Sequence, residues 1–160
     1  MAGKSYTYLS IIFSMVMLSC QPKEKSENVE SSVEDRDVPI EERAERAMHD
    51  EIMDTHDEVM PKMDLIMRLK GELNEKLDSI RELSPMPEET IDLLESKISS
   101  LEKADQSMMN WMRQWNPPSD SISHAEVMEY FKEQQIAVKE MKNLMLNSID
   151  EANTLLDSMK

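Results

Sequence analysis

The amino-acid sequence predicts an all-α protein, an up-down-up bundle of three long helices. Three observations predict it. Glycine is almost absent, with 2 in 160 residues, and aromatics are few, while the good helix formers Glu, Lys, Leu and Met abound. Apolar residues recur every seven positions in three separate stretches, a period that packs helices in the manner of a coiled coil. Proline-rich breaks separate these stretches, and no period-two alternation bounded by turn residues occurs anywhere.

Residues 1–19 read as a secretion signal. Lys4 supplies a thin positive start, and Leu9 to Leu18 form a short apolar run. About ten apolar residues suit a signal-peptide core, whereas a membrane-spanning helix needs about twenty. Ser19 then stands directly before Cys20, the sole cysteine. Residues 20–37 are charged, rich in Ser and Glu, and almost free of large apolar side chains. Such a stretch buries too little surface to offset its ordering entropy, which predicts a flexible acidic tether.

Residues 38–160 carry the bundle, with helices over 39–83, 88–115 and 123–159. Pro39 followed by Glu41-Glu42 suits a first turn, where proline is tolerated and acids are favoured. Ile52, Val59, Ile66, Leu73 and Ile80 then repeat every seven, joined by Leu69 and Leu83. Pro61 lies inside this repeat; its ring removes one backbone hydrogen bond, so a kink is expected between Asp57 and Pro61. Ser84-Pro85-Met86-Pro87 ends the first helix.

The second helix carries Ile91, Leu94, Ile98, Leu101, Asp105, Met108, Met112 and Trp115 in alternating steps of three and four, and Asn116-Pro117-Pro118 breaks it. Ser123 with Glu126 forms a capping box for the third helix, where Phe131, Val138, Met145, Ala152 and Met159 repeat every seven, beside Val127, Met141 and Leu155. Short connections make neighbouring helices antiparallel. Counting outward from the Pro85 and Pro118 turns sets residue 60 beside 111, and 111 beside 126. One end of the bundle should therefore gather His56, Met60, Trp111, Met112, Trp115, His124 and Met128. The first helix overshoots that end by about twenty residues, about 30 Å, which leaves two fates for residues 39–60: projection as a stalk, or folding back at Pro61.

The net charge is -15, and loss of residues 1–19 would take away Lys4 and no acid. A field of that sign repels phosphate backbones and anionic headgroups, so nucleic acid is excluded as a partner and membrane attachment requires acyl chains. A single cysteine provides no disulfide framework and no Cys-type metal site. With two glycines and no glycine-framed serine elbow, nothing supports nucleophilic or phosphate-cradling catalysis, and no enzyme is expected.

Three features bear on binding. His49, Met53, His56, Met60, Met63 and Met67 form a stripe in steps of three and four, to which the bundle-end levels add Met112 and His124. Thioether and imidazole suit Cu or Ag, and the competing reading is a widened apolar face of adaptable methionines. Asp105 is the one acid on the apolar seam of the second helix, and requires a partner such as Lys70, Arg68 or Lys132 if buried, or else marks a binding site. Trp111 and Trp115 either plug the bundle end with Tyr130 and Phe131 or present a recognition patch, with Trp111 the more exposed of the two.

Two resemblances follow from quoted residues. Met17-Leu18-Ser19-Cys20 resembles a bacterial lipobox, which implies cleavage before Cys20 and lipidation of its thiol and new amino group. The stretches His56-Asp57-Glu58-Val59-Met60-Pro61-Lys62-Met63 and Ala104-Asp105-Gln106-Ser107-Met108-Met109-Asn110-Trp111-Met112 are similar to small Bacteroidota lipoproteins carried under the name "viral A-type inclusion protein". The resemblance covers most of the bundle and implies a lipid-anchored protein of the outer membrane or cell envelope, with no catalytic residue to carry over. Gln21-Pro22-Lys23-Glu24-Lys25 bears only a faint likeness to the acidic export signal of such lipoproteins, so both the periplasmic and the surface face stay open. The sequence thus points to a non-enzymatic interaction or structural role with an envelope protein partner. The alternatives are a periplasmic Met/His copper or silver binder, or a chaperone-like acidic helical cradle.

Overall fold

The computed structural model describes residues 38–83 and 87–160. The expected signal peptide, the expected tether with Cys20, and residues 84–86 between the first two expected helices lie outside the described residues. Those described are mostly helical, with no strand among them. Helix α1 spans Ile40–Val59, a 3-10 turn covers Met60–Lys62, and α2 spans Met63–Leu83. Helix α3 covers Glu88–Gln114 and α4 covers His124–Ser158.

Each boundary has a local cause. Glu41 and Glu42 complement the dipole at the start of α1, as Glu88 and Glu89 do for α3, and each of these helices follows a proline. Pro61 brings the α-helical pattern to a 3-10 turn, because its nitrogen has no hydrogen to donate. Trp115 ends α3 in extended conformation, with φ -60° and ψ 111°. Ser123 opens α4: Glu126 Oε2 accepts from the Ser123 hydroxyl at 2.5 Å and from its backbone N–H at 3.3 Å. The two bonds hold the Glu126 carboxyl below its ordinary pKa. A lowered carboxyl pKa makes the cap effective above the ordinary carboxylate range and loses it as pH falls through the folded-state value. Acidification should therefore lower the protection factor of the Ser123 amide relative to its intrinsic exchange rate, and Glu126→Ala should abolish that fall in protection, read by NMR.

Ion pairs between helices give the directions. Glu51 meets Lys139 at 2.9 Å and Glu58 meets Lys142 at 2.6 Å, so α1 runs parallel to α4. Arg81 meets Glu95 at 2.6 Å and Lys70 lies 3.9 Å from Asp105, so α3 runs antiparallel to α2; Lys97 meets Glu151 at 3.0 Å while Trp111 lies level with Ala137 to Leu144, so it runs antiparallel to α4 as well. The first rod goes up, α3 down and α4 up, as the repeats predict. Single exposed pairs of this kind contribute about 0–1 kcal/mol each, and burial of the seam holds the bundle.

That seam closely follows the seven-residue pattern. Ile52, Val59, Ile66, Leu69, Leu73, Leu94, Leu101, Met108, Val138, Met145 and Ala152 are fully buried or nearly so. Leu77, Ala104, Ser148 and Ile149 join them, outside the expected set. Ser148 is tolerated because its hydroxyl donates to the Met145 carbonyl at 3.0 Å. Gly71 sits on the exposed face of α2, where an added Cβ meets nothing within 4 Å. Gly71→Ala should raise stability by about 1 kcal/mol by removing backbone freedom from the unfolded chain, measured by urea unfolding.

One register departs from expectation. The level of Trp111 on α4 is Ala137 to Leu144, not residue 126, a shift of several helical turns. The extended Trp115-to-Ser123 link carries the chain past the end of α3 before α4 begins, so α4 starts alongside the N-terminal part of α1. Residues 40–59 therefore neither project nor fold back; they pack along α4.

Candidate functional site

The shifted register redistributes the residues expected at one end. His124 begins α4, and its Nδ1 lies 2.6 Å from Glu45 Oε1. His49 packs its ring against Trp115 and Phe131, at centroid distances of 5.8 and 6.0 Å. His56 stacks on Trp111 at 5.3 Å with 29° between planes. Helical rise separates the levels of His49 and His56 by about 10 Å, and those of Glu45 and His56 by about 16 Å. His124 thus sits well away from His56, and the three histidines do not converge as the turn-counting places them. Among the described residues no three His, Cys, Asp or Glu side chains are grouped to hold a metal ion.

The methionine stripe also divides. Met53, Met63 and Met112 are half-buried against the core, whereas Met60 and Met67 are largely exposed. Asp105 has the expected partner: Lys70 Nζ lies 3.9 Å from its carboxylate and 4.0 Å from that of Glu102. This cation between two half-exposed acids accounts for Asp105 without a further role for it.

Of the two readings of the tryptophans the plug holds, and the expectation that Trp111 is the more exposed of the two is overturned. Trp111 is buried, at 7% exposure, while Trp115 is only partly covered. The cause is its packing: His56 stacks on it at 5.3 Å and Trp115 lies at 5.1 Å, with Ala137 and Met141 of α4 at the same level. A buried tryptophan is no exposed recognition patch. Trp115 joins Trp111, Tyr130 and Phe131 in the expected aromatic plug, with centroid distances from 5.1 to 6.3 Å. The Asn116 N–H donates to the Tyr130 hydroxyl at 2.9 Å, tying the link to the plug.

Beyond the plug, an open groove of about 680 Å³ lies between the start of α1 and the link. Glu41, Glu42, Glu45 and Asp120 face it against Arg46, with Pro117, Pro118 and Ile122 as its apolar part. Such a surface suits a cationic group, and it contains no nucleophile held by a base.

Two histidine contacts are missing from the sequence reading, the second of them readable there. Glu45 was not expected as the partner of His124, since the pairing depends on the α4 register. Asp57 was legible: each of His49 and His56 is followed by an aspartate whose Oδ1 lies 3.1 or 2.8 Å from its Nδ1, and the dipeptide repeats at seven-residue spacing. Among the described residues no helix is long and apolar enough to cross a membrane. Comparison with protein families, with curated proteins and with solved structures returned no match.

Proposed function

We propose that this protein is a lipid-anchored lipoprotein of the bacterial envelope whose acidic helical bundle serves a non-enzymatic, protein-binding role. The observation that carries the reading is the order of parts: an apolar leader, Met17-Leu18-Ser19-Cys20, a charged tether, and then a bundle rich in surface acids. The acyl chains would hold the protein at a membrane that its own charge repels. The bundle then supplies binding surface, with Ile122, Ile136 and Leu144 exposed among charged neighbours. A partner with a basic rim and an apolar centre is complementary to it.

Chemical crosslinking on intact cells tests this role. A specific envelope protein should be recovered with the wild-type chain and lost when Ile136→Glu and Leu144→Glu are combined, with helix content unchanged. Recovery of only those proteins that an unrelated lipoprotein also captures would refute it.

A further inference from the structure

The groove between the start of α1 and the link is built by the prolines that follow α3. Pro117 and Pro118 have no N–H to give a helix, so the chain runs past the end of α3 before Ser123 caps α4. That run lies beside the first turns of α1 and leaves about 680 Å³ between them.

The charge of the groove is one-sided. Glu41, Glu42, Glu45 and Asp120 line it against a single guanidinium, that of Arg46. That cation is already engaged, since Arg46 donates to Glu42 at 3.0 Å. Glu45 lies 2.6 Å from His124, a contact that joins the start of α1 to the start of α4 and fixes the groove's shape. Glu41 belongs to α1 and Asp120 to the link, so acids stand on both walls. An occupant must therefore bring positive charge.

Charge alone would suit a bare cation, and the apolar part of the groove decides against one. Ile122 is 44% exposed, and Ile40, between the lining residues Pro39 and Glu41, is 77% exposed. Val127 and Phe131 lie buried beneath them as the apolar floor. Aliphatic side chains left in water beside acids are matched by a chain that carries both basic and aliphatic residues. The protein's own residues 21–37 lead toward α1, but they hold more acids than bases and are wrong in sign.

We infer that this groove is a docking site for a short basic segment of a partner protein, whose lysine or arginine meets Glu41 and Asp120 and whose aliphatic side chain rests on Ile122. The inference rests on the protein-binding role above and gives it a second surface, since neither Ile136 nor Leu144 lines the groove.

Fluorescence anisotropy tests it on the full chain purified in neutral detergent, with labelled Gly-Lys-Leu-Lys-Leu-Gly as the probe and a titration of empty micelles subtracted. Saturable one-to-one binding is expected, and it should weaken at about 1 M salt, where exposed charges are screened within about 3 Å. Glu41→Gln with Asp120→Asn should weaken it about fivefold, the scale of two exposed ion pairs. Ile122→Ser should cost about fivefold through lost apolar contact. Glu75→Gln with Asp78→Asn changes net charge equally but far along α2, and should leave binding within about twofold. A probe with serine for both leucines should bind at least about fivefold more weakly. No saturation by about 1 mM probe, equal losses from the two acid pairs, binding indifferent to Ile122→Ser, or equal binding of the serine probe overturns the assignment. Crosslinking that still depends on Ile136 and Leu144 would then leave the protein-binding role standing without this groove.

Discussion

Truncating Leu94 to alanine lowers the unfolding free energy by about 3 kcal/mol, whereas the same truncation at Leu93 changes it by less than about 1 kcal/mol. The two residues are adjacent and identical, so composition and helix propensity cancel in the comparison. What differs is the face. Leu94 is fully buried in the seam, and Leu93 is 43% exposed. One step along a helix turns a side chain by about 100°, enough to take it from core to solvent. Removing a buried leucine forfeits its transfer energy and leaves a cavity that the packed seam refills only in part. Urea unfolding followed by circular dichroism gives both values. Equal losses at the two positions would contradict the register of α3.

That register was legible because the seven-residue repeat is a physical requirement of packed helices. Ile52, Val59, Ile66 and Leu73 are all buried, as are Phe131, Val138, Met145 and Ala152. The order of helices and their up-down-up directions follow from the proline breaks and short connections. The level of α4 against α3 was not legible. Turn counting assumes that each break reverses the chain on the spot, and Pro117-Pro118 instead extends it past the end of α3. That one error moved His124 away from His56 and set Trp111 at the level of Ala137 and Met141. It also placed residues 40–59 beside α4, where neither expected fate applied. Asp105 with Lys70 was readable, since both lie near the same distance from the first turn. The groove beside the start of α1 was not, because it depends on where α4 begins, which no spacing rule reports.

Replacing Cys20 with alanine, in a form whose leader ends in an ordinary secretory cleavage site so that residues 1–19 are still removed, should shift the protein from the membrane fraction to the soluble fraction. The size of the expected effect comes from what else the chain offers a membrane. Its net charge of -15 opposes anionic lipid, and among the described residues no helix is apolar enough to span. The lipoprotein proposed above would depend on its acyl chains, since more than one chain makes anchoring stable while a single one is marginal. Lipid anchoring predicts that washing wild-type membranes with high salt releases nothing, since acyl-chain attachment is hydrophobic and salt screens only ionic contacts. Release by salt, or a membrane-bound alanine variant, would count against lipid anchoring. Fractionation and immunoblotting of the two forms supply the comparison.

Intact-mass measurement of the protein extracted from cell membranes is the most direct test of the account. Lipid anchoring predicts a chain that begins at Cys20, lacks residues 1–19, and carries the added mass of a diacylglyceryl group on sulfur. A chain that retains Met1 and an unmodified Cys20 thiol would contradict it.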